Sequence, residues 1–436
     1  MKFRSTHSNE SLVSFKEAVL DCLPDGGGLY VPDRVMDIRQ LFLYMDEETG
    51  FPDLVAAVTP SLLESELNPL SASRVAQSAF DFEPELIRLD DDYSVLNLYN
   101  GPTGLFKDFG IAFLAAAIEE MLNISGRSMV LAAARGDSGV SISHAFSGRR
   151  GITAVLVYPS GPIRGLDTGS FVTNGGNIIP VQIRGTFDDC QRLVNESILD
   201  RDFSARYGIT SANAINPGRL LPQTFYYLYA FIMMKKQLSG GLAFSVPCGN
   251  FGNLIAGLYA WKFGMPVEGF VAAMNSNNSL GGYITGKPFS PHPLIATNSP
   301  ALDVRVPSNF DRLASFYLEA PAVMRNMVYP ASIDDDLTLK TMESVRKKYD
   351  LYIDPHTAVA FAAAEKTAAA QNWKGNIHTV VLATGHYAKS AEQVRRATGR
   401  NITIPEKFRS LQKKTDPIAV IPPNLDAFEG VIANCL

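Results

Sequence analysis

The chain has 436 residues, of which 46% are hydrophobic and 19% charged, with 39 Lys plus Arg against 44 Asp plus Glu and a formal charge of −5. At roughly 100–200 residues per domain, this allows two or three domains with a large core; it excludes a disordered chain and argues against a broad nucleic-acid-binding surface. Cys22, Cys190, Cys248 and Cys435 are the four cysteines and form no CxxC pair, which excludes a disulfide scaffold or a zinc module and fits reduced thiols in a cytoplasmic protein.

In chain order, the first predicted element is a helix with Leu12, Phe15, Val19 and Cys22 on one face, capped by Ser11 and ended by Gly26 to Gly28. The residues before it lack a continuous apolar run, so no secretory leader is expected. Short helical pieces broken by Pro52, Pro60 and Pro69 continue to about Phe80, so residues 1–80 are expected to form a small helical N-terminal domain. From about Ser94 the texture changes. The runs MVLAAA (129–134), AVLVYP (154–159), NIIPVQI (177–183), AFSVPC (243–248) and VVLAT (380–384) are each followed by a turn. In most of them an amphipathic stretch follows the turn. This alternation predicts an α/β domain over 81–396 with a largely parallel sheet and ligands at the carboxyl ends of its strands. The uncharged stretch Ser239–Trp261 has the length of a membrane span, but Pro247 and the polar run 249–253 would leave backbone groups unsatisfied in lipid. No membrane association is expected. The Pro-containing tail, 397–436, is expected to pack on the surface.

Three loops carry candidate chemistry. Gly249, Asn250, Phe251, Gly252 and Asn253 lie between a predicted strand and helix. Backbone N–H groups turned inward there, with a helix N-terminus behind them, make a phosphate cradle. The same glycines also suit an ordinary strand–helix loop. Lys107 stands between Phe106 and Phe109. Partial desolvation would lower its pKa and make it a nucleophile able to form a Schiff base, although most lysines are solvated surface charges. The run Arg135-Gly136-Asp137-Ser138-Gly139 follows a strand and opens a helix, where N–H groups suit a carboxylate. Gly281 to Lys287 has the GxxxxGK spacing, but Pro288 replaces the Ser or Thr that an NTPase loop needs. The six histidines include no close pair, so no metal site is expected.

Together, GPTGLFKDFG (101–110), RGDSG with SHAF (135–146), GTFDDCQRLV (185–194), SANAIN with RLLPQ (211–223), VPCGNFGN (246–253), DPHTAVAF (354–361) and ATGHYAK (383–389) resemble, in order, the segments of the threonine synthase family. The resemblance covers nearly the whole chain. It implies a pyridoxal 5'-phosphate (PLP) enzyme of the tryptophan-synthase-β-like fold type II, with two α/β subdomains and a small helical N-terminal domain. It also implies that Lys107 carries PLP and moves protons, and that the loop Gly249–Asn253 binds the cofactor phosphate. Thr384 is then the partner of the pyridine nitrogen, Asp137 lies near the phenolic oxygen and Ser138 near the substrate carboxylate.

The chain departs from the family pattern on the substrate side. Ala134-Arg135 replaces Thr-Ser, and Ser160 to Asp167 replaces a segment rich in Lys and Gln. Asn213-Ala214-Ile215-Asn216 replaces Asn-Ser-Ile-Asn, His386-Tyr387-Ala388-Lys389 replaces His-Pro-Ala-Lys, and Asn100 replaces the His before Gly-Pro-Thr. One reading keeps O-phosphohomoserine as substrate, with Arg135, Arg164, Arg219 and Lys389 supplying charge to its phosphate. Arg135 could equally pair with Asp137 or Asp167. A second reading is a lyase or synthase of the same fold acting on another amino acid, one ending in a carboxylate, because Arg forks suit both anions. A third, a non-catalytic PLP-binding protein, would not need Lys107.

Overall fold

The computed structural model describes residues 1–8, 11–63, 66–122, 126–134, 136–160, 175–410 and 416–434, the side chains of Asp137 and Ser410 excepted. The strands Ser128–Ala133, Ile152–Pro159, Gly241–Pro247, Gly269–Met274 and Ile377–Ala383 are buried along almost their whole length, as expected for parallel strands covered by helices on both faces. In chain order the strands are β1 (Phe3–Ser5), β2 (Tyr30–Pro32), β3 (Glu85–Arg88), β4 (Tyr93–Asn97), β5 (Ser128–Ala133), β6 (Ile152–Pro159) and β7 (Ile178–Ile183). They continue as β8 (Ile209–Ser211), β9 (Gly241–Pro247), β10 (Gly269–Met274), β11 (Val328–Ser332), β12 (Ile377–Ala383) and β13 (Ala419–Ile421).

These strands form two larger sheets. One has the order β11-β10-β9-β12-β4-β3 and the other β13-β7-β6-β5-β8. Every pairing in them is parallel except β3 with β4. β12, from late in the chain, lies between β9 and β4, with Val380 opposite both Phe244 and Ser94. The carboxyl ends of β9, β12, β5 and β8 all reach one cavity, lined among others by Pro247, Thr384, Ala133 and Asn213. The uncharged stretch 239–261 becomes β9 and all but the last residue of the helix Gly252–Lys262. No helix among the described residues is long and apolar enough to cross a membrane.

The N-terminal region differs from its sequence reading. The first helix is Phe15–Asp21 and its cap is Ser14, whose side chain accepts from Glu17 N while Glu17 reaches back to Ser14 N. Ser11 lies outside the helix and Leu12 is exposed, because the reciprocal Ser14–Glu17 box starts the helix later. β1 and β2 pair antiparallel; three residues each are too few to show alternation. Pro52 and Pro60 do not break the helix Phe51–Leu63. Pro52 falls in the first turn, where its missing N–H has no helical partner in any case. The tail does more than cover surface: β13 pairs with β7 at the sheet edge, and Phe428 and Ile432 of the helix Leu425–Ala433 are fully buried.

Candidate active site

Lys107 is the first residue of the helix Lys107–Leu122. The segment before it is zipped to the end of β12. Leu105 bridges Gly385, Phe106 N donates to Thr384 O at 3.0 Å, and His386 N donates to Gly104 O at 3.0 Å. Lys107 and Thr384 are therefore neighbours although far apart in sequence. Lys107 Nζ donates to Ser138 Oγ at 2.9 Å, which brings the RGDSG helix start to the same place. Phe109 is fully buried, whereas Phe106 is only half-buried.

The GPTGLFKDFG motif has a packing reason that its aromatic residues do not reveal. Asp108 is buried and accepts from Thr103 N at 2.9 Å and Thr103 Oγ1 at 2.6 Å; Thr103 Oγ1 also lies 2.8 Å from Ser141 Oγ. Burial pushes the Asp108 carboxyl pKa above the usual range, against the lowering effect of these hydrogen bonds. A Cβ on Gly101 would lie 2.6 Å from Asp108 Oδ2, and one on Gly110 would lie 2.3 Å from Arg219 O. Both glycines are close-approach positions.

The Gly249–Asn253 loop turns from β9 into the helix Gly252–Lys262. Its positive φ is carried by Phe251, at 62°, rather than by either glycine. No side chain caps this helix, so its first N–H groups are left to a ligand or water. Gly249 is needed for packing, since its Cβ would meet Ala301 O at 2.6 Å, whereas a Cβ on Gly252 would meet only Asn309 Nδ2 at 3.4 Å and Ala214 Cβ at 4.0 Å. Asn253 Oδ1 accepts from Tyr226 OH at 2.6 Å and Tyr227 OH at 2.8 Å, while Asn253 Nδ2 is buried without a protein partner. An orphaned donor, an uncapped helix start and free space over Gly252 fit an anionic group such as a phosphate.

These pieces line a single cavity of about 1250 Å³ together with Lys389 and Arg219. Arg219 is buried, and its Nη1 donates to Ala212 O at 2.5 Å while its Nε has no protein partner. Burial lowers its pKa to about 10, so it stays charged at neutral pH. Lys389 Nζ lies 5.7 Å from the centre of the Phe408 ring. Arg135, Arg164 and the side chain of Asp137 lie outside the described residues.

Two histidines on the cavity wall were not singled out from sequence. His386 stacks on Tyr387 at 4.3 Å and meets Tyr99 and Phe408 edge-on. Burial, helped by the Lys407 charge, pulls its pKa to about 4. His356 Nδ1 lies 2.5 Å from Asp354 Oδ2, and its Nε2 accepts from Ala301 N at 3.1 Å. The segments DPHTAVAF and ATGHYAK were the available signal, but nothing local marks either ring as facing a cavity.

The chain matches the family described as "Pyridoxal-phosphate dependent enzyme" over residues 91–385, which defines the class. "Threonine synthase N terminus" matches residues 2–80 and "Threonine synthase, C-terminal" residues 357–432. The threonine synthase of Serratia marcescens is 32% identical over 408 residues, 93% of each chain. The crystal structure of threonine synthase from Escherichia coli superposes with a TM-score of 0.89 at 30% identity, covering 100% of both chains. PLP-bound threonine synthase from Brucella melitensis superposes with a TM-score of 0.88 at 27% identity, covering 100% of this chain and 99% of that one. The chain belongs to the threonine synthase family. Its architecture is PLP fold type II, its cofactor is PLP, and these matches favour threonine synthase over a fold type II lyase for another amino acid.

Proposed function

We propose that the cavity converts O-phospho-L-homoserine and water to L-threonine and phosphate. The observation that carries this reading is the convergence of Lys107 Nζ, the uncapped Gly249–Asn253 loop and Thr384 on one cavity. PLP, when bound, supplies an electron sink for charge developing on the substrate carbons. Lys107 would hold it through Nζ, the Gly249–Asn253 loop would bind its phosphate, Thr384 would meet its pyridine nitrogen and Asp137 its phenolic oxygen.

Lys107 Nζ takes the proton from the substrate Cα and returns protons further along the chain, as a positioned general base and acid. Its hydrogen bond to Ser138 Oγ sets where the amine waits. Ser138 then turns to the substrate carboxylate. Buried Asp108 holds the Gly101–Phe106 loop closed on the start of the lysine helix. Arg219 and Lys389 face the substrate phosphate, a task we also assign to Arg135 and Arg164 from sequence. We assign the protein to a reducing cytoplasm, which the buried free thiols of Cys22, Cys190 and Cys248 support.

Incubating the purified protein with O-phosphohomoserine should release threonine and phosphate in equal amounts. Borohydride should fix the cofactor to the peptide containing Lys107. Turnover confined to amino acids ending in a carboxylate, or a label on another lysine, would overturn the assignment.

A further inference from the structure

Arg312, in the helix Phe310–Glu319, heads the largest fully buried side chains and is 1% exposed. A guanidinium removed from water must have its N–H groups matched. Here Nε donates to Tyr30 O at 3.0 Å, Nη1 to Ala214 O at 3.1 Å and Asn309 Oδ1 at 2.8 Å, and Nη2 to Ile215 O at 2.5 Å. Tyr30 belongs to β2 in the N-terminal region, while Ala214 and Ile215 line the cavity. Asn309 continues the chain of contacts, since its Nδ2 donates to Asn250 O at 3.1 Å. Ser308 N donates to Asn250 Oδ1 at 3.1 Å.

We propose that Arg312 is a positioning residue for the cofactor-phosphate loop. It ties β2, the cavity wall at Ala214–Ile215 and, through Asn309, the loop Gly249–Asn253 into one seat. This rests on the reading of that loop as the phosphate site. The planar fork is what the site requires, because it meets acceptors from three separated segments at once; a lysine ammonium on a flexible stem cannot hold them in one plane. None of its four acceptors carries a full charge. Burial lowers its pKa only to about 10, so the guanidinium remains a cation behind a loop assigned to a phosphate, where charge and helix N-terminus act in the same sense.

The test uses the full-length protein, stripped of PLP and titrated back, with the PLP Kd read by absorbance or fluorescence. Arg312→Lys should raise the Kd about tenfold to a hundredfold, the scale of one lost charged hydrogen bond. Before PLP is added, amide exchange in peptides 211–216 and 249–254 should accelerate. Asn309→Ala cuts the branch from Arg312 through Asn309 to Asn250 while leaving the Arg312 bonds to Tyr30, Ala214 and Ile215, and keeps the test usable if Arg312→Lys folds poorly; it should weaken PLP by a smaller factor. The double variant should be no weaker than Arg312→Lys alone, because both changes cut one route. A lower melting temperature with a parent-like Kd would mean a purely structural arginine and would overturn the proposal, as would independent, additive losses. Gly252→Val probes the seat itself. If it leaves the Kd unchanged, the phosphate-site reading fails, whereas if it weakens PLP and Arg312→Lys does not, only the role of Arg312 fails.

Discussion

Thr384 is 8% exposed and closes β12 where its carbonyl accepts from Phe106 N. In the proposed arrangement a threonine there would offer a neutral hydroxyl to the ring nitrogen without adding a charge. Thr384→Val keeps the shape and removes the hydroxyl, leaving a buried acceptor unmet at a cost of about 1–3 kcal/mol. PLP retention, measured by titration, should fall accordingly, and turnover with it. If both match the parent, Thr384 only packs. At this scale the sequence was informative for residues whose type is itself the signal, such as Lys107 and the run 249–253. It was silent about Asp108, whose partner Thr103 is in turn met by Ser141 from the separate helix Asp137–Phe146. Nor did it point to Phe251, which takes the positive φ of this loop, because that conformation is one glycine adopts at no steric cost.

Helices and strands set how closely these groups approach. The helix Lys107–Leu122 crosses the short helix Pro217–Leu220 at Gly110, where a Cβ would lie 2.3 Å from a backbone oxygen. Backbone cannot swing aside as a side chain can. Gly110→Val should therefore destabilise by about 1–3 kcal/mol through overpacking and shift Lys107, seen as a lower melting temperature with reduced PLP occupancy. Gly430→Ala is the contrasting case: among the described residues nothing outside the helix's own backbone lies within 4 Å of the added Cβ, and the helix around it tolerates alanine, so its melting curve should match or exceed that of the parent. The strands with long apolar runs, β5, β6, β7, β9 and β12, were legible in sequence. β1, β2, β8 and β13 have three residues each and owe their pairing to distant partners, so no local period could announce them.

At the scale of the whole molecule, His386 joins regions remote in sequence, its ring packed among Tyr99, Tyr387 and Phe408. Burial draws its pKa from 6.5 down to about 4, so the unfolded chain takes up the proton first. Folded stability from this group is present above the unfolded value and is lost as the pH falls from about 6.5 towards about 4. His386→Asn keeps a side-chain acceptor for Ala388 N and removes the titration. Its melting temperature should fall less than the parent's between pH 7 and pH 5. His378, lowered by burial in the same sense, remains in both proteins and cancels in the comparison. Equal slopes in the two proteins would place the acid sensitivity elsewhere. The alternating pattern gave a largely parallel sheet and the family resemblance its division into two subdomains, but neither gave which strands would be neighbours, because strand order depends on contacts across hundreds of residues.

The central place of β12 also orders events during synthesis. β4 emerges from the ribosome early, yet its parallel partner, residues 377–383, is made nearly three hundred residues later. The Leu105–Gly385 bridge that seats Lys107 waits for the same stretch. Until then β4 and β9 each present an unpaired edge, open to wrong partners. Long-range closure of this kind slows folding. A nascent chain stopped before residue 377 would carry Lys107 and the Gly249–Asn253 loop but lack Thr384 and the Gly385 bridge that complete the cavity around them, so cofactor capture belongs to the last stage of the protein's production.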